Sequence, residues 1–405
     1  MTISFLLLAL LSAIVFLVFL IFLVCHIVGL ARKKMSPKQP TRLKKAAILF
    51  AVVMVLNAGL VAISQFTAST PAIRDESGNT PVGSIAELTQ IELNGRKQWV
   101  SIRGLDKSQP ILLFLAGGPG GTQMAAVRHE LGELEKHFVV VGWDQPGSGK
   151  SYYAEAIKDI TVETYIQDGH GLTEYLTERF GKEKIFLVGE SWGSALGIFL
   201  IDRYPEYYHA FIGTGQMIDF AETERLDYKK AMELARENND AAIITKLEAN
   251  GVPPYYGKNV TWKSAVYLNY LSDYMTRNPA IYNSGYNTFR DIGSSEYGLL
   301  DKINFARGVI NTFNHVYPQL YTIDMRKDYT KFGVPVYFFL GRHDINAPTS
   351  LVEEYLGVLD APEKEILWFE NSGHNPWINE GEKFVKELIA RFSANKSGQK
   401  QEGNR

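Results

Sequence analysis

The sequence predicts an α/β protein: a mostly parallel β-sheet covered by helices on both faces, interrupted by a helical insertion and preceded by two membrane-length apolar segments. Three observations predict it. From residue 86 onward, short apolar runs alternate with helical periodicities. The alternation lapses between Gln216 and Lys331 into helical, tyrosine-rich sequence and resumes at "GVPVYFFLGRHD". The first 66 residues hold two long uncharged stretches and no Asp or Glu.

Those stretches, Ile3–Leu30 and Ala46–Phe66, each reach the roughly 20 apolar residues that cross a hydrocarbon layer of about 30 Å. A signal peptide has a shorter apolar region behind a basic start, and "MTIS" carries no base. Between the two runs, "ARKKMSPKQPTRLKK" contains Arg32, Lys33, Lys34, Lys38, Arg42, Lys44 and Lys45 and no acid. The positive-inside bias puts this connector in the cytoplasm and the large C-terminal region outside, at the cell membrane. A cleaved leader and a buried helical pair remain as alternatives, the second opposed by the connector's charge.

With those seven cations set aside, 35 Lys and Arg face all 44 acids, a formal charge of −9 for the rest of the chain. Such a domain repels nucleic acid and anionic headgroups. The single cysteine, Cys25, lies in the first apolar run, so the outer region has no disulfide, thiol nucleophile or cysteine metal site.

Residues 67–85 read as a linker, with Pro71, Gly78, Pro81 and Gly83 among polar residues. Strands are expected at Leu88–Leu93, Trp99–Ile102, Ile111–Leu115, Phe138–Trp143, Ile185–Val188, His209–Ile212, Val334–Leu340 and Ile366–Phe369. Helices are expected at Gln123–Lys136, Val162–Arg179, Trp192–Arg203, Leu351–Leu359 and Glu382–Phe392. The division is then a core of 86–215 and 332–393, a helical cap of 216–331 and a flexible tail of 394–405. Within the cap, Tyr267, Tyr270 and Tyr274 share a helical face, which either packs the insertion on the core or lines a substrate pocket.

"VVVGWDQPGSGKS" ends like a nucleotide-binding loop, but the motif's first glycine falls on Asp144, and Pro146 removes an N–H that such a loop aims at phosphate. A dinucleotide motif starting from Gly118 and Gly120 fails because its third glycine falls on Gln123. No nucleotide is expected.

In "FLVGESWGSALGIFLIDRYP" a strand is followed by Gly189-Glu190-Ser191-Trp192-Gly193 and then a helix, the strand–turn–helix setting of a nucleophile elbow. A serine hydroxyl needs a histidine to take its proton and a carboxylate to fix that imidazole. In this architecture the order is Ser, acid, His. Of eight histidines only His374 sits in a loop beyond the final strand, and Asp344 closes the preceding one; Asp360 and Asp324 are weaker candidates for the acid. The oxyanion needs two backbone N–H donors, expected from Trp192, after the nucleophile, and from Gly118 in "ILLFLAGGPGG".

These segments resemble the proline iminopeptidase branch of the α/β-hydrolase superfamily. The chain matches its H-G-G-P-G loop, D-Q-x-G-x-G-x-S segment, G-x-S-W-G-S elbow, G-x-x-D acid and S-x-H loop over roughly residues 86–393, the cap by position only. Ala116 replaces the motif's histidine, Pro146 its usual arginine, and Glu190 stands where glycine is frequent. The resemblance implies an α/β-hydrolase fold and a serine hydrolase without metal or organic cofactor. Its substrate is a short peptide, or alternatively the ester or lactone of a carboxylesterase, lipase or lactonase. A non-catalytic surface module on the same fold is the remaining alternative. Iminopeptidases hold the substrate's amine with cap carboxylates, and the acids at hand here are Glu190, Glu222 and Glu224, the last two in "IDFAETERLDY".

Overall fold

The computed structural model describes residues 2–283 and 285–393; the expected flexible tail, 394–405, lies outside the described residues. The described residues form two compact units, one of residues 2–69 with Tyr297–Lys302, the other of Thr70–Glu296 with residues 303–393.

The first unit holds helices α1 (Thr2–Ala31) and α2 (Gln39–Phe66). At about 1.5 Å per residue each exceeds the thickness of a hydrocarbon layer. Phe16 and Phe50 pack with ring centroids 5.2 Å apart, and Asn57 Nδ2 donates to Ser12 Oγ at 2.6 Å. Helix α2 starts at Gln39, before the uncharged run Ala46–Phe66. Pro40 suits a first helical turn, and Arg42, Lys44 and Lys45 are good helix formers, so the basic residues extend the helix.

In the second unit an eight-stranded sheet runs β1 (Ile85–Leu93), β2 (Arg96–Gly104), β3 (Ile111–Leu115), β4 (Val139–Asp144), β5 (Ile185–Glu190), β6 (Tyr208–Thr214), β7 (Val336–Gly341) and β8 (Lys364–Phe369). The spatial order is β1-β2-β4-β3-β5-β6-β7-β8. Strands β1 and β2 are antiparallel to their neighbours; from β4 to β8 all pairs are parallel. This is the α/β-hydrolase sheet.

The helices that cover it are α3 (Met124–Glu130), α4 (Val162–Phe180), α5 (Trp192–Arg203), α13 (Thr349–Val358), α14 (Pro376–Asn379) and α15 (Gly381–Phe392). Strand residues alternate between two cores. Ile111, Leu113 and Leu115 join Val139, Val141 and Trp143 under α4, α5 and α13, while Leu112 and Phe114 join Val140 under α3, α14 and α15. The single helix expected over Gln123–Lys136 is broken: α3 ends at Glu130 and a 3₁₀ turn covers Gly132–Lys136. Gly132, a poor helix residue, stands at the break.

Between β6 and β7 lie α6 (Phe220–Glu237), α7 (Ala241–Asn250), α8 (Val260–Thr276), α9 (Thr288–Gly293), α10 (Leu299–Arg307), α11 (Phe313–Val316) and α12 (Met325–Asp328). Of the three tyrosines on α8, Tyr267 is buried in the cluster formed by α6, α7 and α8, whereas Tyr274 is exposed. The shared face therefore serves mainly to pack the insertion's own helices. The segment read as a linker is anchored at its start: Arg103 donates to Thr70 Oγ1 at 2.7 Å and to the Pro71 carbonyl at 2.5 Å.

Candidate active site

Ser191 occupies the turn between β5 and α5 with φ 54° and ψ −120°. An L-residue at positive φ is strained by roughly 1–3 kcal/mol, and the surroundings must hold it there. The Ser191 N–H donates to the Thr214 carbonyl at 3.0 Å, and its carbonyl accepts from Ser194 Oγ at 2.6 Å. Gly193 lies so close to the carbonyls of Leu115 and Ala116 that a Cβ there would overlap them. The loop after β3, with Gly118, is thereby laid across the start of α5, where Trp192 contributes one of the helix's first N–H groups.

The D-Q-x-G-x-G-x-S segment braces this floor. Gln145 donates to the Ala116 carbonyl at 3.1 Å and accepts from the Trp192 indole at 2.9 Å. The backbone N–H of Lys150 donates to Asp144 Oδ2 at 2.8 Å, so the Gly-Lys-Ser turn closes on its own aspartate.

His374 follows β8, and Asp344 follows β7. The two loops are joined by His343 N–H donating to the Ser372 carbonyl at 2.9 Å. His374 Nδ1 lies 2.9 Å from Asp344 Oδ2, and Asp344 Oδ1 also accepts from the N–H groups of Asn346 and Ala347 at 2.9 and 3.0 Å. Gly215, next to the Thr214 that binds Ser191, is in contact with the His374 ring, which brings histidine and elbow together. The weaker candidates for the acid lie elsewhere: Asp360 pairs with Lys331, and Asp324 caps α12 and binds Arg326.

Burial opposes charge on His374, but Asp344 and then Glu190 outweigh it, and its pKa is pushed up to about 9. Glu190 is 3% exposed, with Oε1 3.8 Å from His374 Nε2 and Oε2 accepting from Gln123 Nε2 at 2.9 Å. Burial raises its carboxyl above the usual range, and the charge of His374 is the largest opposing influence.

The other two acids singled out in the sequence are placed differently. Glu222 is drawn to Arg326 at 2.6 Å, so the structure does not bring it to Ser191. Glu224 is buried inside the insertion, accepting from Tyr317 at 3.0 Å and from the hydroxyls of Tyr267 and Ser264, and burial pushes it up to about 7. Sequence reasoning missed three neighbours. Asp227, 1% exposed, has no hydrogen-bond partner for either carboxylate oxygen among the described residues, and its pKa is raised well above normal by burial, Glu224 and Asp344. Its position three residues after Glu224 on α6 was the available signal. Gln123, which precedes α3, and Tyr286, from a loop of the insertion, hydrogen-bond to each other beside Glu190. A cavity of about 310 Å³, lined by His374, Tyr286, Asn375, Met275 and Ile281 among others, opens beside the histidine.

Residues 123–284 match the family model for serine aminopeptidase, S33. The chain is 32% identical to the probable aminopeptidase YbaC of Bacillus subtilis over 312 residues, 75% of this chain and 96% of that protein. It belongs to the proline iminopeptidase-like branch of the α/β-hydrolase superfamily. Within this branch it is 27% identical to the proline iminopeptidase of Saccharolobus solfataricus, over 69% of this chain and 84% of that one. The crystal structure of a proline iminopeptidase-related protein from Thermus thermophilus superposes with a TM-score of 0.53 at 22% identity, covering 76% of this chain and 98% of that chain, and shares the fold. The chain is a serine-type hydrolase of the aminopeptidase kind.

Proposed function

We propose that this hydrolase is a membrane-anchored aminopeptidase that works outside the cytoplasm on short peptides. The observation that supports the reading is the placement of His374, which has Asp344 at Nδ1 and packs beside Gly215, the residue after the Thr214 whose carbonyl accepts from the Ser191 N–H. Ser191 Oγ attacks the acyl carbon as His374 Nε2 takes its proton, and the imidazolium returns that proton to the leaving amine. Asp344 orients His374, and the N–H groups of Trp192 and Gly118 receive the oxyanion. Residues 216–331 act as the cap over a core of 86–215 and 332–393. The 28-residue spans Ser4–Ala31 and Gln39–Phe66 anchor the chain, and the basic residues between them favour a cytoplasmic connector.

Of Glu190, Glu222 and Glu224, Glu190 is the one that stands beside His374, and it supplies the negative field for the substrate's ammonium. Blocking that amine is expected to cost roughly 30- to 4,000-fold in kcat/KM. The test compares an amino-acyl arylamide, its N-acetyl counterpart and an acyl ester of similar size, with fluorophosphonate labelling as the check on Ser191. Ser191→Ala should abolish labelling and remove on the order of 10⁴–10⁶ of kcat in a folded protein. Equal or better turnover of the ester or the acetylated substrate would replace the peptidase reading with an esterase.

A further inference from the structure

Glu190 closes β5 and immediately precedes Ser191, so its Cα stands about 3.8 Å from that of the nucleophile. Its carboxylate is turned away from solvent: Gln123 donates to Oε2, Tyr286 joins Gln123, and Gly117 packs against the carboxyl group. Oε1 lies 3.8 Å from His374 Nε2, the nitrogen that must accept the serine proton. Asp344 holds the opposite nitrogen at 2.9 Å. The histidine is flanked by two carboxylates, one for each ring nitrogen.

We propose that Glu190 is a positioning residue for the base: its carboxylate holds a proton on Nε2, so that the free enzyme rests with an imidazolium between two carboxylates. His374 becomes a base when the pH is raised or when a substrate cation neutralises Glu190. This rests on the serine-hydrolase reading above and adds a control on its base.

The direction follows from the charges facing the ring. Asp344, from the loop after β7, and Glu190, from β5, act on the ring directly; Asp227 of α6 interacts with Asp344, and Tyr286 of the insertion with Glu190 and Asp291. In a site poor in water a carboxylate 3.8 Å from an imidazolium is far more effective than in solvent. Burial alone would weaken proton binding by His374; the two carboxylates reverse this, and its pKa is pushed up to about 9. An amino-acyl substrate carries its ammonium one carbon from the acyl carbon that Ser191 attacks, and therefore inside the field of Glu190. That charge offsets the carboxylate, the Nε2 proton leaves to water, and the base is free. A neutral ester brings no such charge, so the arrangement favours α-amino acyl groups through the base as well as through binding.

The experiment is the pH dependence of fluorophosphonate labelling and of neutral ester hydrolysis in the full-length wild type, Glu190→Gln and Glu190→Asp. The wild type should show an acid limb on the alkaline side of neutrality. In Glu190→Gln the limb should move down by about one pH unit or more, and labelling near pH 7 should rise about five- to tenfold. Glu190→Asp keeps the charge and should keep an alkaline limb. Coincident limbs in the wild type and Glu190→Gln, or a uniform fall at every pH, would overturn the proposal. A second readout uses the wild type alone: the limb for a free-amine arylamide should lie about one unit below that for its acetylated counterpart, and identical limbs would count equally against the proposal. A wild type that never labels overturns the serine-hydrolase reading itself, a result distinct from either of these.

Discussion

A Cβ at Gly215 would stand 2.8 Å from His374 Cε1 and 3.0 Å from Nδ1, so the backbone after β6 is pressed against the face of the histidine. Gly215 also has φ +51°, a conformation that other L-residues adopt at a cost of roughly 1–2 kcal/mol. Gly215→Ala is expected to keep the fold while displacing the imidazole, lowering kcat by about 10²-fold with a smaller change in KM. Kinetics on protein with wild-type circular dichroism checks this, and unchanged kcat would show that the ring adapts freely.

The pKa of about 9 at His374 is also a statement about stability. A histidine raised above its unfolded value of about 6.5 stabilises the fold fully below that pH and loses the contribution as pH rises through the folded value. The window is therefore about pH 6.5 to 9, and the contribution is at most about 3 kcal/mol. Comparing urea midpoints of the wild type and His374→Gln at pH 6 and pH 10 should show a gap that narrows on the alkaline side. A gap that widens would contradict the sign.

Asp168 on α4 is fully buried and accepts from Arg96 at 2.9 Å, Gln98 at 2.7 Å and Asn94 at 3.0 Å, which clamps the β1–β2 hairpin to the helix. Arg96→Ala leaves the carboxylate short of its cation and should cost about 3–5 kcal/mol in chemical denaturation. Loss of less than about 1 kcal/mol would mean that the amides alone satisfy Asp168.

The basic connector predicts an orientation that thiol labelling can read. With Cys25→Ser as background, a cysteine at Lys38 should resist an impermeant reagent on intact cells, and one at Lys158, whose side chain is 82% exposed, should react. The opposite pattern would invert the topology.

Much of the architecture was legible because each strand is a short apolar run and each flanking helix has its own period, as with Ile111–Leu115 and Trp192–Arg203. The break at Gly132 was not, since helix ends depend on a few local residues such as Leu131. Glu222 illustrates a different limit. Its acid-rich neighbourhood suggested an amine anchor, but Arg326, 104 residues away, holds the carboxylate, and no local pattern announces that pairing.

By itself the sequence determined the order of strands and helices, the apolar spans and the residue types spaced as Ser191, Asp344 and His374, because these depend on local propensity, on burial period and on side-chain chemistry. Only the tertiary structure decided that Glu190 faces Nε2 of His374 while Asp344 faces Nδ1, that Gln123 and Tyr286 pack against Glu190, and that Asp227 is buried within the field of Asp344. These residues lie far apart along the chain, and their electrostatic meaning comes from distance and exclusion of water, which exist only once the sheet and the insertion have packed.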